Sequence, residues 1–348
     1  MKDILESLNK SRIKSGWLYG EKMNRIGDPF QWVDGEQLNK FDNLSRAQKF
    51  LQFLSMSGEI YKNPKQIRIP NYKKIENKIK VKLTEIFQKF IPFTSVNKLK
   101  FNKYLVSTAS VKQQDYSFLK KFCKKLAKRI NHLDIGPGLG ANAIYSHIGF
   151  DSCYYALEAF PQSYKVQREF YANAISNNQL YLDVIECENL NLKPKEISKE
   201  INIKNKYKIK HIPSWLFDSI KDHSIDLVTA TWVLNEVNPA GICWLLSNIS
   251  RKLKPGGYFY IRDSKKTKPL RHNLNYDKFI VEKLKFKKIH ELKIRNRIDM
   301  HGIPRLYQKT KKTKNMKFIK LYNLAYSFFS VTSHGGNYNR TNISSKNK

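Results

Sequence analysis

The stretch HLDIGPGLGANAIY, residues 132–145, constrains this chain more than any other. A short apolar run ends at Gly136-Pro137-Gly138-Leu139-Gly140, and small residues come next. Glycines there free the backbone to turn sharply and to approach a ligand with no side chain in the way. A strand that passes through such a loop into a helix is the opening unit of a nucleotide-binding α/β domain.

The flanking pattern agrees. DYSFLKKFCKKLAKRI predicts an amphipathic helix before the strand NHLDIG, and ANAIYSHIGF opens the helix after it. CYYALEAF predicts a second strand, and PQSYKVQREFYANAI a helix with Pro161 in its first turn. The polar interval 177–204 reads as an insertion, and the third strand falls either at LYLDVIE or, preferably, at KYKIKHI, residues 206–212. SIDLVTATWVL, residues 224–234, predicts a buried strand. GICWLLSNISRKLKPGG predicts a helix closed by Gly256-Gly257, before the strand YFYIRDS. KFKKIHELKI and GIPRLYQKT suit a final hairpin. Strands alternating with helices predict a parallel sheet with crossover helices.

Upstream, LSRAQKFLQFLSM and NYKKIENKIKVKLTEIFQKFI carry apolar residues at helical spacing, so the N-terminal region is read as helical. Three parts result: a helical region over 1–110, a cofactor-binding domain over 111–312, and a basic tail over 313–348. That tail includes the amphipathic stretch MKFIKLYNLAYSFFSV.

Composition narrows the class. Hydrophobic residues make up 41% of 348, which supports a folded globular protein rather than a disordered one. No apolar run reaches membrane-spanning length, and the N-terminus is too polar for a secretory leader, so a cytoplasmic protein is expected. Cys123, Cys153, Cys187 and Cys243 show no C-x-x-C spacing and read as reduced core residues. The 64 Lys and Arg against 29 Asp and Glu give a net charge of +35. Two sources fit it: a polyanionic partner such as nucleic acid or an anionic membrane surface, or a bias toward Lys, Asn and Ile along the whole chain.

Two cofactors fit the loop letters. One is a dinucleotide, through G-x-G-x-x-G/A, and the other is S-adenosylmethionine (SAM), through D-x-G-x-G-x-G. Asp134, two residues before the first glycine, favours SAM, whose ammonium suits an acidic loop while a pyrophosphate does not. Glu158 ends the second strand, where a carboxylate can accept from both ribose hydroxyls. That device serves either cofactor.

The distant pair HSIDLVTATWVLNEV and LLSNISRKLKPGGYFYIRD separates them. Taken with the loop, it resembles the class I SAM-dependent methyltransferases over residues 115–310. The resemblance implies a Rossmann-like seven-stranded sheet with helices on both faces, beside the N-terminal helical region. It implies that Asp134, Gly136, Gly138 and Gly140 hold the methionine end of SAM. It further places Glu158 on the ribose, Ala159 and Phe160 beside the adenine, and Thr231 and Trp232 beside the sulfonium. Within the superfamily, TWVLNEV and the helical extension are most similar to the sugar O-methyltransferases. That narrower likeness implies a sugar or surface-glycan hydroxyl as acceptor.

A hydroxyl acceptor needs a base, and ligands of open sheets lie at the carboxyl ends of strands. The candidates are Glu236 in LNEV, then Asp263 after YFYIR, then His272 and His301; no dense carboxylate cluster argues for a metal. An RNA methyltransferase is the rival, supported by the charge, although the N/D-P-P-Y amine-methylating motif is missing after the fourth strand. A non-catalytic scaffold and an NAD-dependent oxidoreductase complete the alternatives.

Overall fold

The computed structural model describes Glu6, Ser7, Lys10 and residues 72–88, 98–126, 129–159, 161–174, 180–234, 237, 239–263, 275–292, 302–317, 320 and 323–324. The predicted helix over LSRAQKFLQFLSM and most of the stretch 316–331 lie outside these. The chain forms two compact units that divide between Ile220 and Lys221.

In the first unit, α1 (Tyr72–Gln88) fulfils the expected helix, with Ile79, Leu83 and Ile86 fully buried. α2 (Lys98–Phe122) begins well before the expected helix. Asp115, expected near that helix's start, is fully buried within it, alongside Lys112, Gln113 and Gln114. Both helices pack on α3 (Asn142–Phe150), where Tyr116 meets Phe150 edge-on at 5.4 Å. β1 (Asn131–Ile135), β2 (Cys153–Glu158) and β4 (Ile209–Pro213) are parallel, with β2 between the others. α3 joins β1 to β2, and α4 (Pro161–Ala174) follows β2.

Both candidates for the third strand are strands. β3 (Tyr181–Asp183) adds to the far side of β4, and β4 is the one that pairs with β2. The interval read as an irregular insertion contains β3 and two helices, α5 (Val184–Asn189) and α6 (Pro194–Asn202). Asp183 caps α5 by accepting from Ile185 N–H at 3.0 Å.

In the second unit, β5 (Ile225–Thr231) runs parallel to β6 (Leu253–Asp263), and α7 (Pro239–Lys252) connects them. The predicted closing hairpin is present. β8 (Ile303–Gln308) is antiparallel to both β6 and β7 (Lys287–Glu291), after α8 (Tyr276–Glu282). Eight strands are therefore described, one more than expected, and the three-residue β3 is the addition.

One boundary differs from expectation. Gly256-Gly257 does not close α7, which ends at Lys252; Leu253 already pairs with Ile225. The glycines lie in an irregularity of β6, where Gly256 N–H donates to Lys309 carbonyl at 2.8 Å and Lys309 N–H to Gly257 carbonyl at 2.9 Å. Pairing with the residue after β8 outweighed a helix cap. Among the described residues no helix is long and apolar enough to cross a membrane.

Candidate cofactor site and strand-end carboxylates

The first unit assembles the glycine loop from the end of β1. Gly136 N–H donates to Leu157 carbonyl on β2 at 2.9 Å, which extends the parallel pairing past the last residue of β1. Gly140 N–H closes a tight turn on Pro137 carbonyl at 2.9 Å. Gly138 has φ +60°, and a Cβ placed on it would meet nothing within 4 Å. It thus combines left-handed backbone with open space, the cradle a ligand needs. Gly140 has φ +87°, and a Cβ there would strike the Tyr171 ring at 2.6 Å. Its glycine serves packing as well as conformation.

Asp134 is fully buried beneath the loop. Its Oδ2 accepts from Asn142 Nδ2, in the first residue of α3, at 2.8 Å, and from the Tyr154 hydroxyl on β2. One carboxylate thereby ties strand, helix start and neighbouring strand together. Burial and the Asp134 charge hold the Tyr154 hydroxyl protonated, far above the usual tyrosine range.

Glu158 ends β2 and is 4% exposed. Its Oε1 accepts from Ala159 N–H at 2.8 Å and its Oε2 from Gln167 Nε2 at 2.6 Å. The same Gln167 nitrogen donates to Gly138 carbonyl at 2.6 Å. Gln167, on α4, therefore bridges the loop and the acid, and His211 Nε2 lies 2.9 Å from its Oε1. His211 stacks on Tyr164 with centroids 3.5 Å apart and planes at 11°. Burial drives its pKa well below the ordinary value, so the ring is neutral.

The second unit holds the residues expected at the reacting end. Thr231 and Trp232 follow one another at the end of β5, both half-buried. Trp232 sits at φ +59°, a conformation that a bulky residue adopts only when its surroundings impose it. Its N–H donates to Arg262 carbonyl on β6 at 2.9 Å, which is one such constraint.

Two residues on, Leu234 N–H donates to Asp263 Oδ2 at 3.0 Å. Asp263 is fully buried, and among the described residues its Oδ1 has no hydrogen-bond partner. Burial pushes its carboxyl up to about 7, against the opposing pull of the Arg305 guanidinium. Arg305 is itself 1% exposed and donates to Asp277 at 2.6 Å, the Tyr276 hydroxyl at 3.0 Å and Asp263 carbonyl at 3.2 Å.

A family model described as a methyltransferase domain matches residues 111–297, more than half of the chain, and takes in both the loop and the strand-end residues. The chain is a class I methyltransferase. SAM is the methyl donor of that class.

A search of curated proteins gives no match. Among solved structures, an Aquifex aeolicus SAM-dependent methyltransferase is 17% identical, with 55% of this chain and 86% of that one covered and a TM-score of 0.34. A Pyrococcus furiosus methyltransferase is also 17% identical over 58% of this chain and 84% of that one, at TM-score 0.37. A Haemonchus contortus phosphoethanolamine N-methyltransferase 2, solved with phosphomonomethylethanolamine and S-adenosylhomocysteine, is 18% identical over 48% of this chain, at TM-score 0.28. This methyltransferase spans 32% of that enzyme's length.

The structure brings Gly138, Glu158 and Ala159 of the methyltransferase into one hydrogen-bonded group, with Asp134 beneath the loop. Phe160, Glu236, His272 and His301 lie outside the described residues. Asp263 stands at the strand end where the sequence put it, fully buried, with one carboxyl oxygen accepting from Leu234 N–H. Gln167 and His211 escaped the sequence reading. Gln167 looks like any polar residue of a helix, and His211 sits within an apolar run; neither spacing nor motif marked them.

Proposed function

We propose that this methyltransferase methylates a hydroxyl of a sugar or surface glycan. The observation that carries the donor half is Gln167, which ties Glu158 to the Gly138 carbonyl and so joins the ribose end to the methionine end of one pocket. The open space over Gly138 fits the donor's methionine portion. When bound, SAM supplies a methyl made electrophilic by its sulfonium. Glu158 accepts from the ribose hydroxyls, while Asp134 acts through Asn142 and Tyr154 by fixing the loop's shape. The likeness to the class I enzymes implies that Thr231 and Trp232 flank the reactive end. Glu236 would take the proton of the acceptor hydroxyl as its oxygen bonds the methyl carbon and the carbon–sulfur bond of the sulfonium breaks, leaving a neutral thioether; Asp263 is the second candidate, and His272 and His301 are the third. General-base help of this kind contributes roughly 10²–10⁴-fold.

The acceptor class is supported by TWVLNEV and the helical extension. A second reading, methylation of RNA, is favoured by one observation, the net charge of +35. Incubation with labelled SAM and either a sugar and nucleotide-sugar mixture or total RNA, followed by mass spectrometry, distinguishes them. The expected result is a methyl ether on a sugar hydroxyl, lost by roughly 10²-fold or more in Glu236→Gln. Label on RNA alone would reverse the assignment.

A further inference from the structure

We infer that Gln167 is the positioning residue that sets this pocket's discrimination for ribose hydroxyls. The inference rests on Glu158 being the ribose acid. A glutamine amide offers two N–H donors and one carbonyl acceptor. Gln167 directs its nitrogen at two acceptors, Gly138 carbonyl and Glu158 Oε2, each 2.6 Å away. Its carbonyl faces His211 Nε2 at 2.9 Å. A flipped amide would set its oxygen against a carbonyl and a carboxylate, so only one orientation is satisfied.

The orientation is enforced from further away. The His211 Nδ1 lies 3.1 Å from the Tyr181 hydroxyl on β3. With the ring neutral, one nitrogen carries the proton and the other accepts. The Gln167 carbonyl can only accept, so the proton is on Nε2 and Tyr181 donates to Nδ1. Tyr164 stacked on the ring holds its plane. The result is a directed chain: Tyr181 to His211, His211 to Gln167, Gln167 to Glu158 and to the glycine loop. Gln167 and His211 are fully buried, which shields their side of these bonds from water.

The consequence is preorganisation. Ala159 N–H and the Gln167 amide aim the Glu158 carboxylate before any ribose arrives, so aligning it costs nothing on binding. Without the amide, the buried acid loses the donor that aims Oε2 and turns, which weakens its preference for a pair of hydroxyls. Affinity for a ligand without those hydroxyls depends far less on the aim of Glu158.

The experiment is calorimetric titration of the full chain with S-adenosylhomocysteine and with its 2′,3′-dideoxy analogue. The ratio of the two dissociation constants is the readout, because a general loss of packing moves both constants together. In the wild type the ratio is expected near 100 or above, as for two hydrogen bonds to a charged group. Gln167→Met is expected to bring it to about 10 or below. Tyr181→Phe, distant from the ligand, is expected to lower it about two- to threefold through the freed His211 tautomer. Melting curves without ligand identify the folded variants, and Gln167→Glu replaces Gln167→Met if the latter does not fold. A wild-type ratio near 1 overturns the ribose role of Glu158. A high wild-type ratio left unchanged in Gln167→Met, or in its glutamate replacement, overturns the role of Gln167 alone.

Discussion

Glu158 and Asp263 are both carboxylates at the carboxyl end of a parallel strand, and both accept from a backbone N–H. Their surroundings separate them. Glu158 has a donor on each oxygen, one from Ala159 and one from the Gln167 amide. Asp263 has one oxygen satisfied and the other buried without a partner among the described residues, and its carboxyl is raised to about 7. A carboxylate with a donor on each oxygen is aimed, whereas one stripped of water and left half-satisfied is pushed toward its neutral form. Position at a strand end therefore does not give a carboxylate its role; the donors around it do.

The largest effect expected on the donor side comes from Gly138→Val. A β-branched residue at φ +60° is strained by about 1–3 kcal/mol, and its side chain enters the space left open over the loop. Calorimetric titration should show S-adenosylhomocysteine binding lost, or weakened beyond roughly 100-fold. Affinity within a few-fold of wild type would remove the loop from the donor site.

Glu158→Ala comes next. It deletes the acceptor proposed for two ribose hydroxyls, each charge-assisted bond being worth about 1.5–3 kcal/mol. Roughly 100-fold weaker binding is expected, with the loop intact. An unchanged dissociation constant would erase the contrast between the two carboxylates from the Glu158 side.

The smallest effect tests the other carboxylate and appears in stability rather than binding. The folded-state pKa of Asp263, about 7, lies above the ordinary 3.8, so between those values the folded chain holds a proton that the unfolded chain has released. Its contribution to stability is fully present below about 3.8 and is lost as pH rises through about 7, by about 1.4 kcal/mol for each pH unit between the two values. The wild type should melt at a higher temperature at pH 5 than at pH 8, and Asp263→Asn should narrow that difference. Equal differences in both proteins would show that Asp263 is charged throughout.

Much of the donor side was legible because its requirements fall on the backbone. A tight turn after β1 demands glycines, and that demand is written in consecutive letters. Helix–strand alternation was legible for the same local reason. Legibility failed where partners lie far apart in sequence. Both LYLDVIE and KYKIKHI contain strands, and only the pairing of Ile209–Pro213 with β2 decided their order. The LKPGG turn reads as a helix cap until Lys309 pairs with its glycines. Gln167 acquires meaning from Gly138, Glu158 and His211 on three other segments, and no spacing within α4 reports them.

By itself the sequence determined the α/β class, the glycine loop and the acids at the strand ends, because these follow from local backbone freedom and the periodicity of apolar residues. The tertiary structure alone decided which acid is aimed and which is enclosed. Desolvation and donor geometry depend on every neighbour a carboxylate meets, and those neighbours are assembled only when distant segments pack.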